Sequence, residues 1–179
     1  MKKLLALVSV FALMLTVASA QENVASEDPG SIGLGYQGMI MGSALMNGAS
    51  IRYQGQDSPF GFEFNLGQWS GDIERNRGEN KLDIDVYALQ LKGMYTLIKR
   101  QNTNFYAGVK GGWYNLDIED DAEYAWQIAP LFGAEWRWSE MPEIGVNFEV
   151  SYDFCDTEVK GSDINLRGVM VTFGIHYYF

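Results

Sequence analysis

The final fourteen residues, Leu166 to Phe179, constrain the fold more than any other stretch. Phe179, Tyr177, Ile175, Phe173, Val171 and Val169 share one parity, and Tyr178, His176, Gly174, Thr172, Met170 and Gly168 share the other. A period of two is that of a β-strand, whose successive side chains point to opposite faces. The odd face is uniformly large and apolar, whereas the even face is small or polar in most places. No polar tail follows the last aromatic residue. At the rim of a water-soluble sheet such an ending would leave a sticky apolar edge. At a bilayer interface the same aromatic ending is favourable. The expectation is a strand with one face against lipid.

The start of the chain carries an independent export pattern. Lys2 and Lys3 precede an apolar run from Leu4 to Val17, and Ala18-Ser19-Ala20 has the small-x-small form of a cleavage site. The run is too short for a spanning helix, which takes about 20 apolar residues. Residues 1–20 therefore read as a signal peptide, 21–30 as a short periplasmic tail, and 31–179 as one transmembrane domain. No cysteine lies near the cleavage site, so lipid attachment there is not expected. No later stretch has the length and apolarity of a membrane helix, so any insertion has to use strands that close on one another. The formal charge of −10 becomes −12 once Lys2 and Lys3 are removed, which argues against nucleic acid as a partner. Cys155 is the one cysteine, so no internal disulfide can form.

Alternation recurs in eight segments, at 32–41, 49–54, 60–69, 81–98, 104–116, 125–138, 144–154 and 166–179. Eight is an even number that can close. In the seventh, Ile144, Val146, Phe148, Val150, Tyr152 and Phe154 alternate with Gly145, Asn147, Glu149, Ser151 and Asp153. The fourth changes parity, with Asp83 and Asp85 in one phase and Gln90 and Lys92 in the other. One extra residue flips the faces of a strand, so a bulge is expected near Tyr87 and Ala88. Pro130 removes a ladder donor and puts the regularity of the sixth strand in doubt. A soluble ligand-binding barrel would share the alternation but turn its apolar face inward. The aromatics favour the membrane. Tyr53, Phe60, Tyr95, Phe105, Trp136, Trp138 and Phe179 form one belt beside short turns, and Trp113, Trp126, Tyr152 and Phe154 form a second. The connections beyond the second belt, around 71–80, 119–124 and 156–163, read as longer acidic loops.

Three stretches carry a family likeness: GLGYQG at Gly33 to Gly38, SIRY at Ser50 to Tyr53, and the closing GIHYYF. On these the chain resembles the small eight-stranded outer-membrane barrels. Those families include the transmembrane domain of outer membrane protein A, outer membrane protein X and the opacity-type proteins. The resemblance implies an all-β, eight-stranded, antiparallel up-and-down transmembrane β-barrel in the outer membrane of a diderm bacterium, with both termini periplasmic. It also implies that Phe179, Tyr177, Ile175 and Phe173 form the surface read by the β-barrel assembly machinery, with periplasmic chaperones escorting the chain. Outer-membrane lipids would then surround the wall. The motifs name no extracellular ligand.

Chemistry, if any, has to come from the inward face or the outer connections. The inward charges are Arg52, Glu63, Lys92, Lys110, Glu135, Arg137, Glu149 and Asp153. Unpaired charges in a narrow lumen are costly, so these are expected to pair into a structural network. If the first inner turn centres between Asp57 and Ser58, Arg52 and Glu63 stand opposite one another. Eight strands leave an interior about wide enough for its own side chains, which favours a closed lumen in a structural or interaction protein. Tyr106, Tyr114, Met170 and Tyr178 add bulk to that interior. The alternative is a small channel with charged walls. No enzyme is expected: hydrolytic chemistry generally needs a base near a nucleophile, the one histidine is His176, and the nearest hydroxyls, such as Thr172, share its strand. The acidic run Asp117, Glu119, Asp120, Asp121 and Glu123 lacks the spacing of a calcium loop, so neither metal nor cofactor is expected.

Overall fold

The computed structural model describes residues 32–41, 44–55, 58–74, 81–118, 121–159 and 162–179. The expected signal peptide and tail, 1–20 and 21–30, lie outside the described residues. Eight strands run in order: β1 Ile32–Met41, β2 Ala44–Gln54, β3 Phe60–Glu74, β4 Lys81–Lys99, β5 Thr103–Ile118, β6 Asp121–Trp138, β7 Met141–Val159 and β8 Ser162–Tyr178. Each is antiparallel to the next, and β8 returns to β1, closing the barrel. The closure is aligned by Gly33↔Tyr178 through Ile40↔Val171, and Phe179 N donates to Ile32 O at 3.0 Å.

Alternation sorts the side chains as the pleat requires. Inward positions of mid-barrel are polar and buried, among them Gln37, Ser50, Asn65, Gln90, Asn147 and Thr172. Outward positions are apolar and uncovered, among them Leu34, Ile51, Phe62, Leu91, Val109 and Ile128. This is inside-out relative to a soluble barrel, whose lumen would hold the apolar set. At the near end, where Ile32 and Phe179 lie, outward aromatics pair: Phe60 with Tyr95 at 5.3 Å between ring centroids, and Trp136 with Trp138 at 4.3 Å. Toward the far end, Trp113 stacks on Tyr124 at 5.4 Å and Tyr152 meets Phe154 edge-on at 5.1 Å. Phe105 departs from the expected belt. It pairs with Ile98 at a register irregularity that skips a residue of β4, and it is only 4% exposed.

Most strands outrun the expected segments, and the longer acidic loops are corrected accordingly. β3 and β4 stay paired out to Glu74↔Lys81, β5 and β6 to Ile118↔Asp121, and β7 and β8 to Val159↔Ser162. A spanning strand needs about 9–11 residues, so β4 with 19 and β7 with 19 must stand well clear of any bilayer. Many of the acidic residues therefore sit on projecting strands.

The expected bulge at Tyr87 and Ala88 is absent. The β3–β4 and β4–β5 registers run unbroken there, and the irregularity of β4 lies between Thr96 and Ile98. What changes near Tyr87 is the surroundings of the strand, not its phase. Below that level Leu89 and Leu91 face outward while Gln90 and Lys92 are buried inside. Above it Val86 is buried in an inner apolar cluster with Ile84 packed against it, and Asp85 takes the outer parity. A strand leaving lipid for water keeps its pleat and exchanges its polarity. Pro130 perturbs β6 only locally. It aligns with Val109 of β5, while Ala129 and Pro130 are missing from the ladder to β7, whose register resumes unshifted at Leu131↔Ser151.

Candidate functional site in the barrel lumen

Short inner turns fix which residues meet inside. The β2–β3 turn is closed by Gly55 N donating to Phe60 O at 3.1 Å, and this register sets Arg52 opposite Glu63 on the inner face. Arg52 donates to Glu63, to Glu135 Oε2 at 2.8 Å and to Glu149 Oε1 at 2.8 Å. Lys92 reaches Glu63 Oε1 at 2.7 Å, Glu149 Oε2 at 2.5 Å and Gln37 Oε1 at 2.9 Å. Arg137 closes the near end: its Nε donates to Glu135 Oε1 at 2.9 Å, and its guanidinium lies 3.8 Å from the centroid of the Tyr178 ring. Arg52, Lys92 and Arg137 thus face Glu63, Glu135 and Glu149, three formal charges of each sign. Arg52 and Lys92 are both 0% exposed.

The other two predicted charges stand apart. Lys110 Nζ lies 3.2 Å from Asp153 Oδ1 and donates to Ser151 Oγ at 3.1 Å, one level nearer the far end. Above that pair, Gln90 Nε2 donates to the Tyr114 hydroxyl at 2.6 Å, and Tyr114 donates to Gln127. The lumen then turns apolar, with Val86, Ala88, Tyr114 and Ala125 forming a buried cluster.

Several participants carry no motif that marks them in the sequence. Tyr106 and Tyr178 read there as bulky filler, yet Tyr106 donates to Glu149 Oε1 at 2.8 Å and Tyr178 to Glu135 Oε2 at 2.5 Å. Gln37 and Asn65 add an acceptor for Lys92 and a donor for Glu63. Their one signal is inward parity combined with polarity. The hydroxyl nearest His176 also differs from expectation: it is Ser50 Oγ on β2, reached over Gly35 of the intervening β1, 2.7 Å from Nε2. Ser50 and His176 are buried beside the charged cluster, with His176 Nε2 4.0 Å from Glu63 Oε2. Of the acidic run, Asp117 lies on β5 and Glu123 on β6, while Glu119 and Asp120 fall outside the described residues. The four terminal residues singled out, Phe179, Tyr177, Ile175 and Phe173, all lie on the outer face, with Tyr177 and Phe179 meeting at 5.3 Å between centroids.

No protein-family model matches the sequence, and no curated protein matches it. Solved structures do. Neisserial surface protein A is 11% identical, and the match covers 83% of this chain and 94% of that one with a TM-score of 0.51. The chain has the outer-membrane eight-stranded barrel fold. A major outer membrane protein from Thermus thermophilus also aligns, at 12% identity over 83% of this chain and 100% of that one, with a TM-score of 0.46.

Proposed function

We propose that the protein is an integral outer-membrane barrel with a structural or interaction role and a closed, charge-balanced lumen. The observation that carries this reading is the sealed cluster of Arg52, Lys92, Arg137, Glu63, Glu135 and Glu149. Its charges cancel and its members lock residues from β2, β3, β4, β6 and β7 together. Opening a path would break several buried pairs at once, and removing one partner of such a pair typically costs about 3–5 kcal/mol. The apolar outward wall supports insertion, since those residues would otherwise face water as a very large apolar patch. Both described ends lie at the same rim, beside the short turns, which supports periplasmic termini. The outward apolar face of β8 supports the assembly machinery, periplasmic chaperones and outer-membrane lipids as partners. Ser50 and His176 are sealed from any substrate, which supports a non-enzymatic role. Single-channel recording in planar bilayers tests the reading. The expected outcome is no stable conductance and at most brief small openings. Steady nanosiemens-scale channels, or ion selectivity altered by Lys110→Gln, would replace it with the small-channel reading.

A further inference from the structure

β8 outruns the strand beside it. It pairs with β1 only from Val171 to Tyr178, so Ser162–Met170 has no partner strand on that side among the described residues. β3 likewise pairs with β2 only as far as Gln68, and Trp69–Glu74 extends beyond it. The wall therefore has a gap above the short β1–β2 hairpin. Its β8 side is a strand edge roughly 30 Å long, at about 3.4 Å per residue. In an antiparallel sheet alternate residues turn both N–H and C=O to the same side, so this edge presents a row of backbone groups with no strand to bond. Every residue from Ile164 to Val169 is exposed, on both faces of the strand, whereas Met170, the next inward residue, is buried.

Just inside this edge lies a carboxylate with one oxygen unused. The register sets Asp153 level with Ala129 of β6 on one side and with Gly168 of β8 on the other. Lys110, two strands from Asp153, aligns with Ala129 and reaches over it to place Nζ 3.2 Å from Asp153 Oδ1. Oδ2 has no hydrogen-bond partner, although Asp153 is only 5% exposed. On the β8 side the small residue is Gly168, and a Cβ built there would meet nothing within 4 Å. A strand added to the β8 edge would also stand two strands from Asp153, about 10 Å away. The span that Lys110 bridges over Ala129 is thus repeated over Gly168, with open space above the glycine. A buried carboxylate oxygen without a donor is costly, and a cationic side chain entering over Gly168 would supply one.

We infer that the β8 edge takes up an extended segment of a cationic polypeptide as an antiparallel added strand, whose arginine or lysine opposite Gly168 reaches Asp153 Oδ2. The added backbone bonds the row of groups that β1 leaves unpaired, the source of affinity in strand addition. Its next two inward positions stand opposite Leu166 and Ile164, which share the parity of Gly168 and are 53% and 37% exposed. Apolar residues there would cover them and remove apolar surface from water. The pattern recognised is a cation followed, at alternate positions, by two apolar residues. Charge favours such a partner. The eight lumen charges cancel, which leaves the −12 of the mature chain elsewhere, and at the strand positions beside the edge Asp156, Glu158 and Asp163 outnumber Arg167. The same charge repels a second copy of the chain. Two copies in one membrane also run the same way, so their β8 edges could meet only in parallel. The inference rests on the interaction role proposed above.

Fluorescence anisotropy of labelled peptides tests it, with the mature chain folded into phosphatidylcholine vesicles. The probe is a short peptide of alternating valine and threonine with one arginine placed in that pattern, and its counterpart carries glutamine instead of arginine. The arginine peptide should bind roughly tenfold more tightly, and Asp153→Asn should remove that advantage while leaving the glutamine peptide unaffected. Gly168→Val keeps the carboxylate, occupies the open space and should remove the advantage too. N-methylation of alternate peptide amides should abolish binding in one phase and be tolerated in the other, as pairing along a single edge requires. Equal binding of the two peptides, or an arginine preference that survives Asp153→Asn, would overturn the inference in favour of diffuse attraction to an acidic surface. Absence of binding to a folded, urea-resistant barrel would overturn it and leave the membrane reading standing. A chain that does not insert into the vesicles would overturn both.

Discussion

Arg52 holds Glu63, Glu135 and Glu149 together, so its neighbours carry more consequence than their number suggests. Glu63→Gln leaves Arg52 and Lys92 short of a counter-charge in a site closed to water. It should lower the folding free energy by about 3 kcal/mol, whereas Asp117→Asn, at an exposed outward position, should change it by less than about 0.5 kcal/mol. Urea midpoints in lipid vesicles measure both, and equal effects would refute a buried pairing. Gly133 is the second sensitive position. It stands opposite Tyr106, and a Cβ added there would lie 2.7 Å from the ring. Gly133→Ala should displace that ring from Arg52 and Glu149 and cost about 1–3 kcal/mol, with Gly111→Ala, where nothing lies within 4 Å, as the near-neutral control. The Arg52–Glu63 alignment is legible in the sequence because one short turn fixes the register of two adjacent strands. The Ser50–His176 contact is not, and neither are the tyrosine-to-carboxylate bonds. Those depend on how far the strands are staggered around the closed barrel, which no local pattern encodes.

At the scale of the strand, β4 shows where sequence reading succeeds and where it misleads. Its existence and ends are readable from alternation, to within a residue. Its change of phase is real but is not the mark of a bulge, because alternation reports the polarity of the surroundings and not the pleat alone. A strand that crosses from lipid into water produces the same signature as an inserted residue. The two explanations differ in where Asp85 points. With an unbroken register Asp85 is on the outer face in water and Leu91 is on the outer face in lipid. Leu91→Arg should therefore reduce barrel stability by about 2–4 kcal/mol, and Asp85→Arg should be close to neutral. Folding titrations in vesicles would show this contrast. In a Cys155→Ser background, Asp85→Cys should react with an impermeant maleimide in intact cells, and Leu91→Cys should not. A bulge at Tyr87 would instead turn Asp85 inward and make it slow to label. The same logic explains the misread loops. Residues such as Asp117 and Asp156 look like loop residues because they are acidic, yet they belong to hairpins that stay paired in water.

For the whole molecule the decisive step is closure, and its seam is short. β1 and β8 align over eight residue pairs, against sixteen between β7 and β8. Such a seam depends heavily on its ends, and at the near end it is finished by Phe179. There the Phe179 N–H bonds Ile32 O, and the ring, 66% exposed, extends the outward row formed by Tyr177, Ile175 and Phe173. That row is where aromatic side chains favour the bilayer interface. Removing Phe179 takes away one seam hydrogen bond, worth about 0.5–1.5 kcal/mol, together with the interfacial anchor. The cost to equilibrium stability should therefore be modest, while the effect on assembly should be larger, because the apolar row is what an insertion partner meets before the barrel has closed. Deleting Phe179 should lower the amount of folded protein in the outer membrane severalfold, leave cleavage after Ala20 intact, and shift the vesicle urea midpoint only slightly. Heat-modifiable mobility on gels, amino-terminal sequencing and urea titration report these three quantities separately. Normal insertion of the truncated chain would mean that the terminal aromatic is an anchor for the finished barrel and plays no part in recognition.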